Sequence, residues 1–250
     1  MIKNPAFYSV IIGTELLNGR REDSHFSFFN QELVKRGWEH KANFVIKDDP
    51  DFLKEVFKLV KSDPNSVMFS FGGIGSTPDD FTREMASIAF TFEYPVRHKE
   101  AEKIILERLG EKAYPHPIKM ADIPRNSKLI FNPINKMPGF QLENRFFFVP
   151  GFPEMAHPMI INVLDEFYPK NSEKFSCSFI AHASEARLID IMKALSDKVE
   201  LSCLPSFGKD DKRSAEIYLS CMDSELLQSQ CDFFKEQLSA MDILYSDVEK

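Results

Sequence analysis

The segment from Val67 to Thr82 constrains the fold more than any other in this 250-residue chain. An apolar run, Val67 to Phe71, is followed at once by Gly72-Gly73-Ile74-Gly75-Ser76-Thr77-Pro78-Asp79-Asp80-Phe81-Thr82. That order reads as a buried strand delivering into a glycine-rich loop and then a helix, an arrangement in which backbone N–H groups and the helix start meet an anion. Gly72, Gly73 and Gly75 are expected to present amides to phosphate oxygens, with Ser76, Thr77 and Thr82 supplying hydroxyls. Asp79 and Asp80 repel phosphate unless a cation lies between them, so the loop is expected to work with Mg²⁺ or a similar hard ion. On composition alone the same residues also fit a plain turn capped by Thr77 or Asp79. The loop lacks the terminal Gly-Lys-Ser/Thr of a P-loop and the GxGxxG spacing of a Rossmann fingerprint.

The flanking pattern predicts where this loop sits. Phe7 to Ile12 reads as a buried strand ending at Gly13, and Phe26 to Arg36 as a helix capped by Ser24 and stopped by Gly37. A second strand is expected over His40 to Ile46. Asp48-Asp49-Pro50 then opens a helix carrying Phe52, Leu53, Val56, Phe57 and Val60. Strand, helix, strand, helix, strand predicts a parallel sheet with right-handed crossovers. Further helices are expected over Asp80 to Ala89, Lys99 to Leu109 and Pro153 to Phe167. Between them the prolines at 115, 117, 124, 133, 138 and 150 disfavour long elements. Lys128 to Asn132 and Arg145 to Val149 are expected as two strands around a turn, and Tyr168 to Ser172 as a linker. The remainder, from Phe175, predicts strand, helix, strand, strand, helix and a short strand, a βαββαβ module of the split α+β kind. The domains are thus placed at 1–170 and 174–250.

In an open parallel sheet the carboxyl ends of neighbouring strands face one crevice, so Glu15, Asp48 and Asp80 are expected to converge there. For Asp48 a helix cap, and for Glu15 a solvated loop acid, stand as the alternatives. Pro138-Gly139-Phe140 and Pro150-Gly151-Phe152-Pro153-Glu154-Met155 repeat a rigid turn suited to the opposite wall of a pocket. The histidines show no ligand spacing, and His25, His98, His116 and His157 read as surface or partly buried side chains. Cys177, Cys203, Cys221 and Cys231 show no CxxC pairing and read as buried small residues in a reduced compartment rather than disulfides. The 24 phenylalanines read as core filling. A net charge of -7 argues against broad capture of nucleic acid. No signal peptide or bilayer-length apolar run appears, so a cytoplasmic location without membrane contact is expected.

Taken together, Ile12-Gly13-Thr14-Glu15-Leu16-Leu17-Asn18-Gly19, Asp23-Ser24, Leu33 to Gly37, Asp48-Asp49, GGIGSTPDDFTRE, Met137-Pro138-Gly139-Phe140 and the Pro150 to Met155 run resemble the N-terminal half of the CinA proteins. That half contains the MoaB/Mog-type molybdopterin-binding domain, which is also similar to the one fused to FAD synthase. The resemblance covers about residues 5 to 168, and the tail from Phe175 looks like the small middle domain of CinA. It implies a three-layer α/β/α domain with a mostly parallel sheet, followed by a small α+β domain.

The resemblance further implies that the loop holds the phosphate or pyrophosphate of a nucleotide or of molybdopterin. Asp80 and Asp48 match acids that support Mg²⁺-dependent chemistry, with Mn²⁺ or Co²⁺ as other candidates, and Asp79 joins them as a third candidate catalytic acid. The implied ligand contacts are Gly13, Glu15, Gly72, Gly73, Gly75, Ser76, Thr77, Thr82, Pro138, Gly139, Gly151 and Glu154. The activity expected first is metal-dependent hydrolysis of a nucleotide pyrophosphate of the ADP-ribose or FAD class. A molybdopterin- or nucleotide-binding, adenylyltransferase-like role in cofactor biosynthesis is the alternative, followed by a non-catalytic binding module. A homodimer is expected. Three departures mark this chain: Ser76 stands where the family usually has proline, His25 where asparagine is common, and Asn135-Lys136-Met137 where a Gly-Thr-Ala-like lead is usual. Because the sequence ends at Lys250, before the amidohydrolase domain of full-length CinA, nicotinamide-nucleotide deamidation is not expected.

Overall fold

Residue alternation along the first strand explains the layering. In the computed structural model, which describes Ile2 and residues 4–171, 174–207 and 213–248, β1 is Ala6–Ile12. Tyr8, Val10 and Ile12 point into one apolar cluster, and Phe7 and Ile11 into another on the opposite face. A strand covered on both faces needs a nearly continuous apolar run, and β1 and β3 (Ser66–Phe71) have one. The first cluster is completed by α3 (Pro50–Ser62) and α4 (Thr82–Thr91), the second by α2 (His25–Lys35) and α6 (Pro153–Phe167). The result is a helix layer on each side of one sheet.

The chain divides into two compact units, Met1–Asn171 and Ser172–Lys250. In the first, β2 is His40–Ile46, β6 Lys128–Ile130, β7 Gly139–Leu142 and β8 Phe146–Val149, and the strand order is β2-β1-β3-β8-β7-β6; β4 (Val96–Arg97) and β5 (Asp122–Ile123), on either side of α5 (Lys99–Leu109) in sequence, form a separate antiparallel pair. The pairs β1·β2, β1·β3 and β3·β8 are parallel, and β7 runs antiparallel to both its neighbours. Phenylalanine fills both layers, as the composition predicts: Phe69 stacks on Phe147 at 4.9 Å and Phe140 on Phe148 at 4.5 Å between ring centres.

Four local expectations need correction. Lys128 to Asn132 and Arg145 to Val149 do not pair around a turn, because β7 lies between β6 and β8 and takes the hydrogen bonds of both. Ser24 makes no side-chain cap; Asp23 does, accepting from the N–H groups of His25 (2.9 Å) and Phe26 (3.0 Å). Tyr168 is no linker residue. It is buried, packs edge-on against Phe7 at 5.1 Å, and its carbonyl accepts from Trp38 Nε1. Gly139, read as a turn facing a ligand, opens β7 and is buried. A Cβ there would lie 2.4 Å from the Phe148 carbonyl oxygen and 2.8 Å from Met159 Cε. Gly139→Ala is therefore expected to destabilise this unit by about 1–3 kcal/mol, read as a lower urea midpoint with an unchanged slope.

The second unit is an antiparallel sheet of order β10-β11-β9-β12. Its strands are Phe175–Ala181 (β9), Glu200–Phe207 (β10), Arg213–Cys221 (β11) and Tyr245–Asp247 (β12). Helices α7 (Glu185–Lys193) and α8 (Ser224–Ala240) supply apolar residues to its core, giving the βαββαβ order that the sequence predicts. The cysteine reading is corrected for one pair: Cys177 on β9 and Cys231 on α8 form a disulfide, while Cys203 and Cys221 are free thiols. The 54-residue separation hid this, since only helix-on-sheet packing brings the two together. Among the described residues no helix is long and apolar enough to cross a membrane.

Candidate functional site

The chain steps from β1 to β2 on one side and then crosses to β3 on the other, so the winding order of the strands reverses between β1 and β3, which stay parallel. Ligands of open α/β sheets bind outside the strand carboxyl ends at such a point. Here Gly13 follows β1, Asp48 follows β2, Gly72 follows β3 and Gly151 follows β8, and all four line one cleft of ≈ 530 Å³. That volume suits a nucleotide-sized ligand.

Two latches shape the floor. Thr14, which opens the short helix α1 (Thr14–Leu17), donates its N–H and its hydroxyl to Asp48 Oδ2, each at 2.8 Å, and the Thr14 hydroxyl accepts from the Asp48 N–H at 3.2 Å. Asp48 is thus no helix cap. That task falls to Asp49, which accepts from the Phe52 N–H at 3.0 Å ahead of Pro50. The second latch is Asp80. Its Oδ1 accepts from the Gly75 N–H at 2.9 Å and its Oδ2 from the Thr77 N–H at 2.7 Å. Two of the three amides that the sequence assigns to phosphate are thus taken within the fold: Gly75 donates to Asp80, and Gly72 donates to the Val149 carbonyl at 3.0 Å. Arg83, half-buried, donates to the Gly75 carbonyl at 2.7 Å and also to the carbonyls of Lys119 and Asp122, and desolvation pulls its guanidinium below the usual range.

The glycines are required by close approach. Gly73 has φ of 67°, and a Cβ there would lie 2.2 Å from Thr82 Oγ1; Gly72 has φ of 97°, with the Ile12 carbonyl oxygen 2.6 Å from its missing Cβ. Thr82 is correspondingly buried. It donates its hydroxyl to the Gly72 carbonyl at 2.9 Å and its N–H to the Gly73 carbonyl at 3.0 Å, so it braces the loop and does not face a ligand. The Thr77 hydroxyl lies 2.6 Å from Asp79 Oδ1 and 2.5 Å from Asp80 Oδ2. It has one proton to give, so one of the two carboxylates meets it oxygen to oxygen, a contact that a cation would relieve.

Of the residues expected at the site, Gly13, Glu15, Asp48, Gly72, Gly73, Gly75, Ser76, Thr77, Asp79, Asp80, Pro138 and Gly151 line the cleft. Thr82, Gly139 and Glu154 do not: the first two are buried structural positions, and Glu154 is exposed in the first turn of α6. Glu15, Asp48 and Asp80 therefore open on one cavity. No group of three or more His, Cys, Asp or Glu side chains that could hold a metal occurs among the described residues. Sequence reasoning missed Arg21, which the chain folds into the cleft by donating the N–H groups of Arg20 and Arg21 to the Glu15 carbonyl, and whose guanidinium lies 5.8 Å from the Phe152 ring centre. It also missed the thioether wall of Met120, Met137 and Met155.

His25 is a further correction. It is buried, stacked on Phe71 at 4.6 Å and edge-on to His157 at 5.3 Å, and its Nε2 lies 3.2 Å from the Gly151 carbonyl oxygen, which can only accept. That bond pins the Gly151 turn, whose position leaves only 3.3 Å between a Cβ there and Gly72 Cα. Burial lowers the affinity of His25 for a second proton, and His157 and His40 shift the same way. Each therefore binds a proton less readily in the fold than in the unfolded chain, where its ordinary value is 6.5. The stability they contribute is thus complete above that pH and is lost as pH falls through the depressed folded values. The expected slope from His25 is up to about 1.4 kcal/mol per pH unit in that window, and urea titrations of His25→Gln, which keeps an N–H for Gly151, are expected to show a flatter pH dependence.

A family profile described as "Probable molybdopterin binding domain" matches residues 9–170, nearly the whole first unit. The chain belongs to this molybdopterin-binding domain family. It is 33% identical over 158 residues to a CinA-like protein of Nostoc punctiforme and 33% identical over 158 residues to one of Trichormus variabilis. Each match covers 60% of this chain and 37% of the relative, so the chain spans little more than a third of the length of these curated relatives. Among solved structures, the protein CinA of Thermoplasma acidophilum aligns with a TM-score of 0.59 at 24% identity, over 65% of this chain and 98% of that one. The likeness is one of fold. It gives the first unit the fold of the CinA structure, with the mostly parallel sheet described above.

Proposed function

We propose that the cleft binds a nucleotide pyrophosphate of the ADP-ribose or FAD class and hydrolyses it with a divalent metal. The observation that carries this reading is the convergence of Asp48 and the Asp80-braced glycine loop on one nucleotide-sized cavity. In hydrolysis a water oxygen bonds to one phosphorus, the bridging P–O bond breaks with its electron pair on the leaving phosphate oxygen, and the water's proton passes to the Asp48 carboxylate and on to solvent. Asp48 is suited to orient that water: Thr14 fixes its Oδ2, while Oδ1 takes neither Thr14 bond. Asp80 and Arg83 keep the loop in shape, the Gly72 N–H is taken by the Val149 carbonyl, and the N–H groups of Gly73, Ile74 and Ser76 are the ones that meet the phosphate oxygens.

The donor set fits a metal of the Mg²⁺, Mn²⁺ or Co²⁺ kind, because Mg²⁺ sites commonly use one or two carboxylates and take the rest of the shell from phosphate and water. Asp48 is the candidate ligand, with Asp80 or Asp79 as the second, and the ion when bound would neutralise charge on the phosphoryl oxygens. The family description favours a second ligand class at the same loop, a molybdopterin phosphate. A homodimer is part of the proposal. Incubating the protein with ADP-ribose, FAD or ATP and each metal in turn is expected to release AMP from ADP-ribose or FAD. Absence of turnover with every pair would contradict the hydrolase reading.

A further inference from the structure

The apolar half of the cleft carries a polar group whose orientation is forced. Asn135 lies in the loop between β6 and β7, among Met120, Met137 and Met155 in the cavity lining. Its Oδ1 accepts from Asn132 Nδ2 at 2.8 Å and from the Met137 N–H at 2.9 Å. Asn132 is fully buried, and its own Oδ1 accepts from the Ile134 N–H at 3.0 Å. Turning the Asn135 amide over would set its NH₂ against two donors, so the donor side is fixed. One Nδ2 hydrogen meets the Met155 sulfur at 3.1 Å, a weak acceptor. The second has no acceptor among the described residues. This wall therefore offers polarizable sulfur, which favours aromatic faces and edges, together with a single N–H donor held in place by a buried asparagine.

We infer that Asn135 is the specificity-determining residue of the cleft: its N–H selects a planar nitrogen heteroring that presents an unprotonated ring nitrogen or a carbonyl oxygen to the thioether wall. The inference rests on the proposed function, in that the ring's phosphate is taken to sit at the glycine loop. A site built to donate to a ring discriminates against rings that cannot accept, because the polar group is otherwise left unpaired.

The test compares dissociation constants of inorganic phosphate with those of AMP, GMP, CMP and FMN, for the wild-type chain and for Asn135→Asp. The aspartate keeps an oxygen for Asn132 and Met137 but loses the donor. Its added charge acts on phosphate and nucleotide alike, so the ratio of the two constants isolates the ring. At least one monophosphate is expected to bind the wild type tighter than phosphate does, with that advantage reduced about tenfold in the variant. An advantage of the same size in both proteins would overturn the assignment, as would phosphate binding with no ring advantage at all. If no phosphate compound binds even the wild type, the reading of the site itself fails, and the ring inference fails with it.

Discussion

Asp48→Asn is expected to lower kcat/KM for the pyrophosphate substrate by about a hundredfold or more, some 2.7 kcal/mol of transition-state stabilisation, while the fold survives. The asparagine carbonyl can still accept from the Thr14 N–H and hydroxyl, so the latch between β1 and β2 is weakened rather than broken. What disappears is the negative charge needed to orient a water or hold a cation. The neighbouring acid supplies the control. Asp49 caps α3 and does not line the cleft, so Asp49→Ala is expected to cost about 1 kcal/mol of stability and leave turnover unchanged. Equal loss of activity in both variants would mean that Asp48 acts only through the start of α3.

Gly73→Ala is expected to weaken ligand binding severely even though it adds one carbon. The left-handed φ of 67° costs an alanine about 1–2 kcal/mol, and the new Cβ would clash with Thr82 Oγ1 at 2.2 Å. Thr82 cannot step aside without giving up its bond to the Gly72 carbonyl, the brace that sets the loop's path. Affinity for inorganic phosphate, measured by calorimetry, is expected to fall about a hundredfold, with the urea midpoint moving only as far as the local strain requires. Unchanged phosphate affinity would place the anion elsewhere.

The contrast between residues that sequence placed and those it misplaced has a physical basis. Strands β1, β2 and β3 and helices α3 and α6 were legible because burial on one or two faces imposes apolar periodicity. The cleft was legible as a consequence, since parallel strands put Gly13, Asp48 and the glycine loop at one end of the sheet. Side-chain assignments within that frame were less secure. Asp48 and Asp49 are equivalent by composition, and only the position of Thr14, at the start of α1 just past β1, makes one a latch and the other a cap. Thr82 and Gly139 belong to recognisable motifs, yet they serve packing, because a motif residue can brace a site without facing it. His25 and His157, and Cys177 and Cys231, meet only through tertiary packing across 132 and 54 positions of sequence. The methionine wall joins Met120 and Met137 of the proline-rich segment to Met155 in the first turn of α6, residues that share no periodic signal.

The central claim is that phosphate and a divalent cation meet between the glycine loop and Asp48. Crystals soaked with ADP-ribose and Mn²⁺, examined by anomalous scattering at the manganese edge, test it most directly. The account predicts a manganese peak within coordination distance of an Asp48 oxygen and of a ligand phosphate oxygen, with the pyrophosphate against the loop at Gly73 to Ser76. A well-ordered ligand whose pyrophosphate lies away from that loop, or a manganese ion bound without contact to Asp48, would contradict it.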